Sequence, residues 1–323
     1  MGERSQTVQH VPLSVVTSGK VLRNQNGKTT HLHGLNISST EDAFTGNVFF
    51  KKDPIGDSNG SNIALEGMRS WHSNCLRIPL NEGRWLGING SGSSAEYQAV
   101  ILDLVKRVNA RGMYAILDLH KAAPGTRPAT DAEGWFDMPN KDHSPAFWTS
   151  VATIFKSYKA VIFDLFNEPV PGTIFPADWK LLRDGGTYTT INMWRDFNDI
   201  TPQGKTASVT YEAAGMQELV NAVRATGALN PIMVAGRAKA AVLGINWVAY
   251  KPFDPANQLI ASYHNYEATK EEYEAAILPI LAAGIPVVVG EIGEEDCKHG
   301  FIDPFMSFAD MHNVSYCAWA WYP

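Results

Sequence analysis

Two glutamates stand out by their surroundings. Glu168 lies in Asn167-Glu168-Pro169 and Glu291 in Gly290-Glu291-Ile292-Gly293. Each follows a run too apolar to be a loop, Val161-Ile162-Phe163 before the first and Val287-Val288-Val289 before the second. Both are therefore expected at the ends of buried strands. A pair of carboxyl groups flanking a bond is what cleavage of a glycosidic linkage requires: one protonates the departing oxygen, the other meets the positive anomeric carbon. The ends of other apolar runs add Arg77, His120, His264 with Tyr266, and Trp319. Sugar rings have apolar C–H faces and polar hydroxyls, so aromatic rings interleaved with Asn, Glu and His suit them. Glu294, Glu295 and Asp296 are near Glu291 in the chain but fall on the next loop, where a solvated carboxylate is ordinary.

Eight short β-branched or apolar runs, at 31–36, 74–79, 114–120, 160–167, 231–235, 259–264, 285–290 and 314–319, predict the strands that position these groups. Between them lie helical patterns. Tyr97, Val100, Ile101, Leu104 and Val108 follow the helical spacing, and 211–226, 270–283 and 300–312 also read as helices. Eight strands alternating with helices predict an α/β chain folded as a (β/α)8 (TIM) barrel. A doubly wound sheet would need a phosphate-binding turn, and no GxGxxG or Walker pattern supplies one. The chain reads as a single catalytic domain over 1–323, with 1–30 as an N-terminal cap or extension. It stops soon after the eighth predicted strand with no eighth helix, so Tyr316 and Ala318 lack their usual cover unless 11–22 helps to close the barrel.

In such barrels the site gathers at the C-terminal ends of the strands, where all the candidates above fall. Alternation sets the faces. Leu76 and Ile78 point outward and Cys75, Arg77 and Pro79 inward; Leu117 and Leu119 outward and Ile116, Asp118 and His120 inward. On the fourth strand Asp164, Phe166 and Glu168 point inward, on the sixth Ser262, His264 and Tyr266 share a face, and on the eighth Ser315, Cys317, Trp319 and Trp321 do. An isolated buried charge is costly, so Arg77 is expected to be held by Asp118 or Asp164.

Composition narrows the function classes. With 323 residues, 45% hydrophobic and 19% charged, the chain is neither disordered nor a coiled coil. About three quarters of its unfolded surface is buried on folding, so the core needs no staple. A net charge of −6 and a pI near 5.8 argue against a nucleic-acid partner. Cys75, Cys297 and Cys317 form no CxxC, which removes zinc and redox motifs. The longest apolar stretch, 275–290, is broken by Pro279, Gly284 and Pro286, so no membrane span is expected. The opening MGERSQTVQHV has no apolar run, so no signal peptide is expected. Nine tryptophans are many, and Trp85, Trp135, Trp179 and Trp194 are candidate sugar platforms on loops.

Rival chemistries have weaker support. His31-Leu32-His33 is the HxH of metal-dependent amidohydrolase barrels, but the fifth strand offers no His and the eighth no Asp. Gly56-Asp57-Ser58-Asn59-Gly60 matches GxSxG, yet it follows Lys51-Lys52-Asp53-Pro54 rather than a strand, so it reads as a polar loop. A non-catalytic glycan-binding barrel would keep the aromatics and lose a glutamate, and both glutamates are here.

The chain resembles glycoside hydrolase family 5, the cellulase family, and its secreted bacterial endoglucanases in particular. The motifs are LHGLN (32–36), NCLRIPLNEGRWLGING (74–90), AILDLHKAAPGT (115–126), VIFDLFNEP (161–169), AGMQELVNAVRATGALNPIMVAG (214–236), LIASYHNY (259–266), VVVGEIGEEDCKHGFIDPFMSFAD (287–310) and SYCAWAW (315–321). The resemblance implies a secreted, monomeric, retaining endo-glycosidase that uses no cofactor or metal. It takes a polysaccharide, β-1,4-linked β-glucan, as its partner, with β-mannan or xyloglucan as the alternatives. It implies Glu168 as acid/base, Glu291 as nucleophile, and Asn167 against the sugar 2-hydroxyl. Arg77, His120, His264 and Tyr266 would line the catalytic subsite. Trp319 would be the stacking platform, and Trp321, Asn36, Glu41, Trp85 and Trp179 complete the substrate-binding set. The sequence departs from this branch at Lys121, where Trp is frequent, at Gly83 and Cys297, where a loop disulfide is lost, and in a long segment over 170–210.

Overall fold

The computed structural model describes residues 11–38, 40–41, 62–129, 136–172, 174–190, 208–296 and 298–321. Three short strands come first, β1 (Val15–Ser18), β2 (Val21–Asn24) and β3 (Thr29–Thr30), in a small antiparallel sheet. Four barrel strands follow: β4 (His33–Ile37), β5 (Cys75–Asn81), β6 (Tyr114–Lys121) and β7 (Val161–Asp164). A hairpin, β8 (Gly185–Thr189) with β9 (Thr210–Ala214), interrupts before β10 (Ile232–Ala235), β11 (Leu259–Tyr266), β12 (Val287–Gly293) and β13 (Ser315–Trp321) complete the ring. The eight barrel strands are all parallel and close, β13 pairing with β4 and β7 with β10. The predicted (β/α)8 barrel is what forms, with all eight strand segments correctly placed to within a few residues.

The helices are α1 (Ile63–Ser70), α2 (Glu82–Leu86), α3 (Ser94–Ala110), α4 (Ser144–Phe155), α5 (Ala177–Asp184), α6 (Met216–Ala225), α7 (Gly244–Tyr250), α8 (Lys270–Ala282) and α9 (Ile302–His312). α3 starts where the Ser93 side chain accepts from the Glu96 N–H, and α8 where Thr269 and Glu272 form a capping box. One predicted helix is corrected. Residues 211–226 are not continuous: Tyr211 and Ala213 alternate with exposed residues and pair with β8, and α6 begins only after Gly215. A Cβ on Gly215 would run into the Arg183 carbonyl oxygen, so the chain crosses there at a distance only glycine permits. The long segment over 170–210 thus contains α5 and β8. Among the described residues no helix is long and apolar enough to cross a membrane.

The barrel's outer faces carry the larger core, including Leu76, Ile78, Leu117, Leu119 and Phe163, packed under the helices. Its lower interior is a separate apolar cluster of Cys75, Tyr114, Ile116, Ile162, Met233, Ile260, Val288 and Cys317, stoppered from below by Val15 and Leu22. The N-terminal strands therefore close the barrel's foot rather than its flank. They are fixed there by Val15 N–H to Lys159 O at 3.0 Å and Thr17 N–H to Gln258 Oε1 at 2.8 Å. Tyr316 is covered by His33, which stacks on it at 4.8 Å. The predicted inward alternation fails at Phe166, because β7 ends at Asp164 and Phe166 joins the outer core.

Candidate active site

Above the apolar floor, at the C-terminal ends of the strands, a single cation organises the barrel mouth. Arg77 on β5 is fully buried. Its Nε donates to Asp164 Oδ2 (3.1 Å) and its Nη1 to Asn36 Oδ1 (3.1 Å) and Glu291 Oε1 (2.9 Å). Its Nη2 donates to Asn167 Oδ1 (2.9 Å) and pairs with Asp118 Oδ2 (3.0 Å). The predicted alternatives for its partner are both realised, Asp118 and Asp164 together. A planar guanidinium has five N–H groups in fixed directions, and here they meet oxygens of five residues, four on the strands β4, β6, β7 and β12 and one, Asn167, in the loop after β7. Burial outweighs Arg77 at Asp164 and raises that carboxyl to about 6.

Glu291 sits on β12 with both oxygens engaged. Oε1 takes Arg77 and Oε2 accepts the Tyr266 hydroxyl at 2.8 Å, while His264 Nδ1 lies 3.6 Å from Oε2. Burial opposes its ionisation, but His264, Arg77, His120 and the tyrosine bond outweigh that and hold its pKa well below the usual carboxylate range. Burial and the Glu291 charge push the Tyr266 hydroxyl far above its ordinary value, so it remains a donor. Glu168, in the loop after β7, is partly exposed and accepts from His264 Nδ1 at 3.1 Å. Burial favours neutral His264, yet the charges of Glu291 and Glu168 prevail and raise its pKa. One oxygen of Glu168, one of Glu291 and a nitrogen of His264 all lie within 4.8 Å of one another. His264 Nε2 has no hydrogen-bond partner and abuts Gly290, where a Cβ would come within 3.0 Å of it.

On the other side of the mouth, His120 Nδ1 binds Asp118 Oδ2 at 2.7 Å. Asn167 Oδ1 is taken by Arg77, which leaves its Nδ2 facing His120 Nε2 at 3.3 Å. Trp319 stacks on His120, the centroids 5.4 Å apart and the planes 14° from parallel. Glu41 is buried near His120, its carbonyl accepting from Asn81 Nδ2 at 2.9 Å.

Of the residues singled out in the sequence, Glu168, Glu291, Arg77, His120, Asn167, His264, Tyr266, Trp319 and Glu41 thus meet at one end of the barrel. Four do not reach its open surface. Trp85 is on α2, fully buried against Tyr97, Phe147 and Phe155, with its Nε1 donating to Ser150 Oγ at 3.0 Å. Trp179, on the buried side of α5, stacks on Tyr250. Both are core residues because the segments that carry them are helical and fold inward. Trp321 leaves the face it was expected to share with Trp319, because the β13–β4 register shifts between Ala318 and Trp321. Its ring turns outward to meet Trp71 at 5.3 Å. Asn36 is wholly buried beneath the mouth, donating to Gly290 O at 2.9 Å, and holds Arg77 rather than facing the opening. Trp135, Trp194, Cys297 and the 56–60 pattern lie outside the described residues.

Sequence reasoning missed two supports. Gly290 leaves the space that the His264 ring occupies. Ala238, Lys239 and Ala240 form a left-handed turn (φ +53°, +59° and +59°) in which the Lys239 N–H reaches Pro169 O and Ala240 O accepts the His264 N–H. That turn ties the loop of Glu168 to the strand of His264. No glycine marks it, so composition offered no signal.

A closed parallel barrel with two carboxylates gathered over a buried arginine at its C-terminal mouth is the architecture of a glycosidase-type barrel. The chain belongs to the cellulase family, glycosyl hydrolase family 5, whose profile matches residues 24–323. It is 23% identical to endoglucanase B of Paenibacillus lautus over 88% of this chain and 50% of that protein. It is likewise 23% identical to endoglucanase CelA of Streptomyces lividans over 82% of this chain and 48% of the relative. The chain thus spans about half the length of these curated relatives. Among solved structures, a β-glucanase of Saccharophagus degradans with bound cellotetraose is similar at TM-score 0.64 and 18% identity, covering 99% of this chain and 89% of that one. A β-mannanase of Streptomyces thermolilacinus with mannohexaose is similar at TM-score 0.64 and 20% identity, covering 95% and 84%.

Proposed function

We propose that this chain hydrolyses internal β-1,4 linkages of a β-glucan with retention of anomeric configuration. The observation that carries the mechanism is the closeness of Glu168 and Glu291, which have carboxylate oxygens within 4.8 Å of each other. Retaining enzymes hold the two carboxyl groups about 5–5.5 Å apart, whereas inverting ones leave about 6.5–9.5 Å for a water. The environments also divide the labour. Glu291, ionised by Arg77 and His264, attacks the anomeric carbon, while Glu168, the more exposed, gives its proton to the leaving oxygen. The glycosyl ester on Glu291 is then released by a water whose proton passes to Glu168. Trp319 offers a flat apolar face beside these groups for a sugar ring, and Asn167 is placed to meet a hydroxyl next to the reacting carbon.

Glucan is favoured as substrate by the endoglucanases among the relatives and by the neighbour solved with cellotetraose. Mannan is the second reading, because the mannanase neighbour is equally similar in fold. With Trp85 and Trp179 in the core, they cannot serve as platforms, and the choice between glucan and mannan falls to the mouth itself. A panel of soluble β-glucan, mannan, xylan and xyloglucan with reducing-end detection tests the substrate. Faster cleavage of carboxymethyl cellulose or mixed-linkage glucan is expected. A mannan or xyloglucan rate at least about tenfold higher would overturn the glucan assignment, and an inverted anomer appearing first by NMR would overturn the mechanism.

A further inference from the structure

The HxH motif that the barrel mouth does not use comes to lie at its opposite end. Leu32 points into the lower apolar cluster, so alternation turns His31 and His33, at the foot of β4, outward toward the end of α9. Asn74 fixes this segment by clamping its backbone twice, its Nδ2 donating to His31 O at 2.7 Å and its Oδ1 accepting from His33 N–H at 2.9 Å. The two rings lie 5.7 Å apart, and His33 Nε2 reaches Asp310 Oδ1 at 3.1 Å. One nitrogen from each imidazole and one carboxylate oxygen of Asp310 lie within 4.8 Å of one another. His31 Nε2 is buried and has no hydrogen-bond partner. A buried polar atom without a partner is costly, and an imidazole that keeps one ring nitrogen unpartnered beside a second imidazole and a carboxylate is what a cation would use.

We propose that His31, His33 and Asp310 bind one divalent transition-metal ion of the zinc type, remote from the carboxylates of the barrel mouth. Two imidazoles and one carboxylate suit zinc and its neighbours, whereas calcium and magnesium prefer oxygen-only shells. Ligand atoms about 3.3 Å apart surround a tetrahedral ion with bonds of about 2.0–2.1 Å, so small side-chain rotations close the site. The side chains of His33 and Asp310 are 41% and 51% exposed, which leaves a path for the ion and a fourth position for water. Tyr316 supports the set from behind, stacked on His33 and donating its hydroxyl to Asp310 Oδ1 at 3.4 Å. The ion would join β4 to α9 beside the seam where β13 pairs with β4, linking residues 277 apart in the chain. A clamp across so long a loop acts on the stability of the barrel.

Zn2+ is titrated calorimetrically into the chelator-treated full chain, with thermal unfolding recorded alongside. One ion per chain and a Tm that climbs with Zn2+ are expected, together with the visible spectrum of four-coordinate Co2+ on substitution. His31→Gln, His33→Gln and Asp310→Asn should each weaken Zn2+ binding by roughly tenfold or more. His264→Gln should leave it unchanged, since Glu168, His264 and Glu291 form the other cluster with ligand spacing among the described residues. Asp310 is on an exposed helix surface, so its variant keeps the fold and decides the matter if a histidine variant does not. Absence of heat and of any Tm shift at millimolar Zn2+ would overturn the proposal. So would binding that survives Asp310→Asn and both histidine changes, or that disappears in His264→Gln.

Discussion

Two successive layers inside the barrel obey opposite chemistry although the same strands build both. In the lower layer the inward positions are Gly34, Cys75, Ile116, Ile162, Met233, Ile260, Val288 and Cys317. Two residues further along each strand they become Asn36, Arg77, Asp118, Asp164, Ala235, Ser262, Gly290 and Trp319. The step is about 6.6 Å along a strand. Over that distance the interior passes from an apolar plug to a cluster of one guanidinium and three carboxylates, Asp118, Asp164 and Glu291. The apolar floor is the reason the cluster is strong, since packed hydrocarbon beneath it screens the charges little. It is also the reason every charge must be paired, for none can be hydrated from below. The lower layer therefore serves stability, and the upper layer spends stability to fix the state of Glu291.

The sharpest contrast between the layers lies in turnover. Glu168→Gln and Glu291→Gln should each lower kcat on soluble glucan by about 10³-fold or more while leaving substrate binding largely intact. The Glu168 change should hurt less with an activated aryl leaving group, which needs no proton. Equal losses on both substrate types would remove Glu168 as the acid.

Whether a loss of stability carries a loss of turnover separates the layers next. Arg77→Met strands three carboxylates and should cost about 3–5 kcal/mol in urea unfolding, with a fall in kcat for the protein that remains folded. Ile116→Ala, one layer down, should cost a comparable 2–5 kcal/mol through its cavity and leave kcat per folded molecule unchanged. A matching fall in kcat for Ile116→Ala would erase the division between the layers.

The smallest of these effects is at the rim. Tyr266→Phe removes one hydrogen bond to ionised Glu291, worth about 1.5–3 kcal/mol. The donor stabilises the charged form, so its loss raises the carboxylate pKa, and the acid limb of the pH–rate profile should move to higher pH. An acid limb that stays in place, or moves lower, would show that the tyrosine does not tune Glu291.

Much of this arrangement was legible before folding is considered. Strand alternation put Arg77, Asp118 and Asp164 on the inner face, and apolar runs put Glu168 and Glu291 at strand ends, because both inferences need only local periodicity. The tryptophans were less legible. A lone Trp in a polar stretch looks like a platform, and only the formation of α2 and α5 turned Trp85 and Trp179 into the core. Trp321 was misplaced for a different reason, since one register shift sends a side chain to the opposite face and nothing in the sequence announces the shift.

What the sequence determined by itself is the class of barrel and the chemical types available at its mouth, since periodicity of two and alternation with helices are properties of short segments. Which groups touch was decided only by tertiary structure. Glu168 and Glu291 are far apart in the chain, one in the loop after β7 and the other on β12, strands that are not neighbours, and they approach through His264 on β11 because the ring closes and β11 shifts register against β12 between Tyr263 and His264. Likewise His31, His33 and Asp310 meet only because closure brings α9 to the foot of β4. Ring closure is a long-range condition satisfied by all eight strands at once, so no window of sequence contains it.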